Sequence, residues 1–318
     1  LSLNFKFHTT DREEGQRLDE FLASRLGGLS RMQIAKLIAR GACLVDDRAE
    51  RGGYRLKAGS VIEITVTDFA PNSMSAEKIP LEILLEDEQI LVMVKPAGML
   101  AHPNKAERTG TLANALTYHL NREFFENSGT SSLLIQDNQS LRRPGLVHRL
   151  DRATSGLMVV AKTQRALTIL TRHFHHRKVE KRYLGIVRGE LIEPAGTIIA
   201  PIGRDPDRRP QWWVVESGRY AETRYKVLES RGYRSLVEME PVTGRTNQLR
   251  IHFAYSGHPI IGDLLYSDGK GVESEQAEET ASRLCLHASM LAFHHPANGE
   301  WLEFHSPLPA EVEEILKG

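Results

Sequence analysis

The chain has 318 residues, enough for about two domains of ordinary size. Its 41 Lys and Arg balance 41 Asp and Glu, with 41% hydrophobic and 26% charged residues, an ordinary globular mixture. This excludes a disordered chain, a collagen-like repeat and a uniformly basic histone-like protein, and no run approaches the roughly 18 apolar residues of a membrane span.

The opening Leu1-Ser2-Leu3-Asn4-Phe5-Lys6-Phe7 alternates with period two, as a strand does, and lacks a signal peptide's apolar core. Leu18, Phe21, Leu22 and Leu26 then share one face of a helix. Ser30 and Gln33 fit a capping box before a second helix, Met32 to Arg40, with Gly41 as its stop. That helix turns Ile34, Leu37 and Ile38 inward and leaves Arg31, Lys36 and Arg40 for solvent or a partner. Strand-like runs follow at Ala42 to Asp46 and Val61 to Thr67, and Asp68 to Ile79 reads as a linker.

Residues 80 to 318 read as one α+β domain. Strands are expected at Ile90–Val94, Gly156–Ala161, Tyr183–Val187, Thr223–Leu228, Ser235–Glu240 and Leu286–Phe293. Helices are expected at Leu112–Leu120, Gln164–Phe174 and Asn247–Tyr255, with surface loops at Asn121–Ser140 and Ser267–Ser282. Cys43 and Cys285 are too few for a disulfide framework and read as core residues of a reduced, cytoplasmic protein.

Neutral overall, the charge is unevenly spread. Residues 142 to 188 hold twelve Lys or Arg against Asp151 and Glu180, and residues 30 to 57 hold seven against three acids. Such patches are compatible with a polyanionic partner. The densest constellation is Arg142-Arg143-Pro144-Gly145-Leu146-Val147-His148-Arg149-Leu150-Asp151-Arg152-Ala153-Thr154-Ser155-Gly156, with one acid among four arginines. A carboxylate so placed is expected to stay ionised, which suits a nucleophile or electrostatic stabiliser better than a general acid. Three segments add to it: Lys95-Pro96-Ala97-Gly98, Val179-Glu180-Lys181-Arg182-Tyr183, and Gly244-Arg245-Thr246-Asn247-Gln248-Leu249-Arg250-Ile251-His252, the last ending at Gly257-His258-Pro259-Ile260-Ile261-Gly262-Asp263.

Together, and in this order, these motifs resemble the RluA-type pseudouridine synthases, which modify uridines in ribosomal and transfer RNA, over nearly the whole chain. The opening segment, through Arg17-Leu18-Asp19, Ser30-Arg31, Leu37-Ile38, Gly41 and Val45-Asp46-Asp47, resembles the small alpha-L RNA-binding module of ribosomal protein S-four type. The resemblance implies an alpha-L type module over residues 1–70, a linker over 71–80 and a catalytic domain over 81–318. The latter should have a mixed, largely antiparallel sheet flanked by helices and loops.

It further implies that Asp151 acts on the target ribose, by attack at C1′ or removal of a C2′ proton. Tyr183 would pack on the flipped base and assist loss of the C5 proton, and Arg250 would pair with the aspartate. Arg149 would lie beside the extruded nucleotide, with His148, Arg152, Lys181 and Arg245 in the RNA path, and Arg31, Lys36 and Arg40 would contact phosphates from the first module. Large-subunit ribosomal RNA is favoured over transfer RNA, the protein is expected to be a monomer without membrane contact, and an isomerisation needs no cofactor or metal. Two positions depart from many relatives: Asn247 replaces His, and Val94 replaces Asn before Lys-Pro.

Other features carry less. His173, His175 and His176 lack Cys or Glu at ligand spacing and read as surface or RNA-contacting histidines rather than a metal site, and Trp212 and Trp213 as packing. Two rival functions are a non-catalytic RNA-binding assembly factor and a glycosidic-bond hydrolase. The hydrolase needs a second, paired acid, and none lies near Asp151 in sequence.

Overall fold

A computed structural model describes residues 3–26, 29, 31–66, 75–122, 144–205, 212–266 and 283–317. The chain divides into two compact units, residues 1–78 with 103–109 and 113–143, and residues 79–102 with 110–112 and 144–318. Ser30 of the expected capping box, and Arg142 and Arg143, lie outside the described residues.

In the first unit, β1 (Leu3–His8), β2 (Cys43–Val45), β3 (Arg48–Ala49) and β4 (Val61–Val66) form an antiparallel sheet in the order β1-β4-β2-β3. Strand β4 buries every second residue, Ile62, Ile64 and Val66, as its period-two pattern dictates. Against that face pack α1 (Leu18–Arg25) and α2 (Arg31–Ala39), through Leu18, Phe21, Leu22, Ile34 and Ile38. Helix α3 (Leu112–Leu120) has Ala113, Ala115 and Leu116 buried.

The second unit is built on a ten-stranded sheet. Its members are β5 (Glu82–Glu86), β6 (Ile90–Lys95), β7 (Gly145–Leu146), β8 (Ser155–Ala161), β9 (Val179–Arg188) and β10 (Ala195–Ile199), with β13 (Glu222–Arg231), β14 (Arg234–Pro241), β15 (Leu286–His294) and β16 (Trp301–His305). The central order is β10-β13-β14-β9-β15-β8-β6-β5; β16 adds to β15 and β7 to β8. A separate ribbon joins β11 (Ile202–Arg204) and β12 (Trp212–Val214). All pairings among the described strands are antiparallel except β8 with β15, so the sheet is mixed and largely antiparallel, an α+β arrangement.

Strand β8 is buried along its whole length, which explains its unbroken apolar run. One face is covered by α4 (Gln164–His175), which Thr163 caps by accepting from Ala166 N–H. Ala166 and Leu170 pack there on Leu157, Val159, Leu291 and Phe293. Helices α5 (Gln248–Tyr255) and α6 (Ala310–Lys317) contribute Leu249, Phe253, Val312 and Ile315 to a second cluster, with Ile186, Val237 and Leu286. Gly156 makes the parallel pairing possible: at φ 119° a Cβ there would sit 2.4 Å from the Ala288 carbonyl oxygen.

Several elements are not expected from the sequence. Strands β5, β10 and β16 show alternate residues exposed, and α6 is a single amphipathic stretch after Pro309. Strand β9 starts at Val179 rather than Tyr183, because its charged Glu180 and Arg182 project outward while the backbone pairs with β15.

Candidate active site

Asp151 lies on the loop between β7 and β8, and that loop is fastened from below. Lys95, fully buried at the end of β6, donates through Nζ to the carbonyls of Pro96 (2.7 Å), Met99 (2.8 Å) and Arg152 (3.2 Å). The same Arg152 carbonyl accepts from Gly98 N–H at 2.8 Å. The Lys-Pro-Ala-Gly turn therefore serves as the seat of the aspartate loop. Three carbonyls match the three N–H groups of an ammonium, although burial pushes the Lys95 pKa down to about 7.

Arg250 rises from α5, and its Nη1 lies 3.8 Å from Asp151 Oδ2. Its stronger partner is Asp263, which accepts from Nε and Nη2 at 2.6 Å each, a bidentate pair. Both residues are buried, and Asp263 Oδ1 also accepts from the backbone N–H of Leu265 and Tyr266. Gly262 permits this arrangement, since at φ 76° a Cβ would fall 2.0 Å from the Arg283 carbonyl oxygen. Asp263 is the second acid that the sequence does not place. Because its oxygens are committed to Arg250 and the backbone, it is not the free acid that a glycoside hydrolase needs.

The turn entering α5 is knotted around Gln248. Its Oε1 accepts from Thr243 Oγ1 (2.6 Å) and Arg245 N–H (3.0 Å), and its Nε2 donates to Glu222 O (2.9 Å) and Thr223 Oγ1 (3.0 Å). Asn247 precedes it in the left-handed region at φ 53°. Oriented by its neighbours, the Asn247 amide nitrogen donates to Asp151 Oδ2 at 2.7 Å and Oδ1 at 3.2 Å, while its oxygen accepts from the Tyr266 hydroxyl at 2.9 Å.

Tyr183 stands on β9, opposite Met239 of β14 and Ala288 of β15. Its hydroxyl makes no hydrogen bond among the described residues. Burial, and then the negative charge of Asp151, push its pKa up, so it is a neutral phenol at physiological pH. Asp151, Tyr183 and Arg250 line one cavity of about 660 Å³, together with Asn247.

The pKa of Asp151 is shifted upward. Burial raises its pKa, and Asp263 adds to the rise, while Arg250, Arg149 and Lys95 act to lower it. Cations surround the carboxylate, but withdrawal from water outweighs them.

The expected RNA contacts divide. Arg149, Lys181 and Arg245 line the cavity; Arg149 is exposed, and Arg245 donates from Nε to Tyr220 O at 3.0 Å. His148 also lines it but serves the fold, since its Nε2 accepts from Val159 N–H at 3.0 Å and its ring stacks on Phe174. Burial drives its pKa down to about 3, so its imidazole is neutral. The exposed side chain of Arg152 is outside the cavity lining, and this residue contributes its carbonyl to the loop's seat. Lys36 and Arg40 are exposed in the first unit, where the Arg31 side chain lies outside the described residues. Trp213 stacks on Tyr266 and Trp212 lies under Arg204, in keeping with packing. Sequence reasoning includes Gln248 and Asp263 in the third motif without giving either a role, and passes over Tyr266.

Comparison with known proteins agrees with this geometry. Residues 89–255 match the RNA pseudouridylate synthase family. The chain is 37% identical to ribosomal large subunit pseudouridine synthase D of Pseudomonas aeruginosa, over 95% of this chain and 91% of that one. It is 34% identical to RNA pseudouridine synthase 2, chloroplastic, of Arabidopsis thaliana, over 94% of this chain and 79% of that one. Among solved structures, human RNA pseudouridylate synthase domain containing 4 is similar at a TM-score of 0.57 and 26% identity, covering 74% of this chain and 93% of that one. With a family match spanning more than half its length, and relatives aligned over nearly the whole of it, the chain belongs to the RNA pseudouridylate synthases and is an RNA-modifying isomerase.

Proposed function

We propose that this pseudouridine synthase acts on large-subunit ribosomal RNA, with Asp151 as its catalytic carboxylate, Tyr183 against the everted base and Arg250 as the aspartate's partner. The observation that carries the catalytic assignment is the shared cavity, in which the carboxylate, the unbonded phenol and the guanidinium meet. In the reaction the N1–C1′ bond breaks, the uracil turns, and C5 bonds to C1′. C5 gives up a proton and N1 takes one, so no atom is gained or lost. Attack at C1′ and abstraction at C2′ both require the anionic form of Asp151. The neutral Tyr183 donates or relays a proton rather than acting as a phenolate.

Reaching the uridine costs a few kcal/mol of unstacking, of which the Tyr183 face returns roughly 1–3 kcal/mol. Arg149, Lys181 and Arg245 would hold adjacent phosphates. Residues 1–70 would act as an RNA-binding module through Lys36, Arg40 and Arg31, joined by residues 71–80 to a catalytic domain over 81–318. The protein would work as a monomer in the cytoplasm. Support for the ribosomal target comes from relatives named ribosomal large subunit pseudouridine synthase D in Pseudomonas aeruginosa and Xanthomonas campestris.

The test is to map pseudouridine across total RNA from cells with and without the protein, and with Asp151→Asn in its place. Loss confined to large-subunit RNA, unrestored by the variant, is the expected result. Loss confined to transfer RNA would overturn the target, and restoration by the variant would point to an assembly factor.

A further inference from the structure

Asn247 occupies the N-cap position of α5, yet its side chain makes no capping hydrogen bond to that helix. Asn is favoured there because its side-chain oxygen ordinarily satisfies a free backbone N–H. Here the amide is turned away from that role, to Asp151 on one side and the Tyr266 hydroxyl on the other. Tyr266 is itself fixed: it is buried, its ring lies under the Arg250 guanidinium at 5.0 Å, and Trp213 stacks on it at 5.9 Å. The left-handed backbone at φ 53° aims the amide, and Asn is among the few non-glycine residues that enter that region readily.

We propose that Asn247, anchored by Tyr266, is a positioning residue that holds the Asp151 carboxylate anionic and turned toward the substrate; this rests on Asp151 being the catalytic group. The amide suits that role because it donates and accepts at once and does not titrate. Its donation opposes the burial that disfavours the anion. The other groups facing Asp151 are Arg250 from α5, Arg149 from its own loop, Lys95 from the end of β6, Tyr183 from β9, and Asp263 beyond α5. Of these, Asp263 and the buried phenol do not help the anion. Arg250 is shared with Asp263 at shorter range. Asn247 thus makes the shortest polar contact to the carboxylate among the described side chains.

Asn247→Gly keeps the left-handed backbone and deletes the amide. Its pH profile of kcat/KM is expected to show the acid limb displaced upward by about one pH unit, the size of a hydrogen bond to a charged group, with RNA Kd unchanged. Tyr266→Phe keeps the ring and is expected to shift the limb in the same sense by less. It also stands as the second variant if the glycine protein does not fold. An acid limb unmoved in the folded variants, or an effect confined to RNA Kd, overturns the proposal. Asp151→Asn is assayed alongside: turnover by that variant would remove the catalytic role of Asp151 itself, a failure distinct from that of Asn247.

Discussion

Asp263 grips Arg250 through two hydrogen bonds of 2.6 Å, and Arg250 in turn presents Nη1 to Asp151 at 3.8 Å. The guanidinium is therefore held by one acid and offered to the other. Removing one member of a buried pair strands its partner, at a cost of about 3–5 kcal/mol. Asp263→Asn is expected to lower the unfolding free energy, measured by urea titration, by an amount of that order and to reduce turnover as Arg250 loses its orientation. Joint replacement, Asp263→Leu with Arg250→Met, is expected to recover stability but not activity. Recovery of both would remove Arg250 from the chemistry.

Asp151 sits in the opposite thermodynamic position. Its folded-state pKa is raised by burial above the ordinary 3.8, so its contribution to stability is fully present below about pH 4 and lost as pH rises through the folded value. At neutral pH the anion is a cost. Asp151→Asn should lower turnover by at least about a thousandfold while raising the melting temperature at pH 7, with the two proteins converging near about pH 3.5. A variant that melts lower at neutral pH would contradict this account of the buried carboxylate.

Tyr183 combines a face and a hydroxyl. Tyr183→Phe keeps the face, and is expected to leave RNA affinity intact while slowing the chemical step in single-turnover assays. Tyr183→Ala should also weaken binding, by roughly 1–3 kcal/mol for a lost stacked base. Equal rates for the Phe variant and the parent would confine the hydroxyl to a passive place.

Lys95 should reveal itself in the pH dependence of folding. Its pKa falls from 10.5 to about 7 on burial, so the associated stability is present above about pH 10.5 and lost as pH falls through about 7. Lys95→Met orphans three carbonyls and is expected to destabilise the protein. It should also flatten the rise in stability between about pH 7 and 10.5, measured by denaturant titration across that window.

Arg149, exposed at the cavity, is expected to act as a phosphate contact. Arg149→Ala should weaken RNA binding at low salt and reduce the slope of log K against log salt by about one. An unchanged slope would place its role elsewhere.

Much of this is legible where the residues are contiguous. The run from His148 to Gly156 points to the aspartate and to the buried strand after it, and the pattern at Leu112–Leu120 matches its helix to the residue. What escapes is set by contacts distant in sequence. Asp263 becomes the partner of Arg250 only once Gly262 lets the chain pass the Arg283 carbonyl. The upward pKa shift at Asp151 escapes because sequence shows the neighbouring arginines but not the removal of water. Strands β5 and β16, half exposed and short, give a period-two signal too brief to separate from loop. Asn247 is visible as a departure, whereas its contact with Asp151 depends on a backbone conformation that sequence alone leaves open.

Because the Arg152 carbonyl is shared by Lys95 and Gly98, the segment bearing Asp151 has little freedom to travel. With Asp151 in its proposed role, the approach to the sugar falls to the nucleic acid, which bears the distortion. Uridines already loosened, in bulges, mismatches or hairpin tips, should accordingly outcompete those in continuous duplex in competition assays, a selectivity traced back to the lysine beneath the loop.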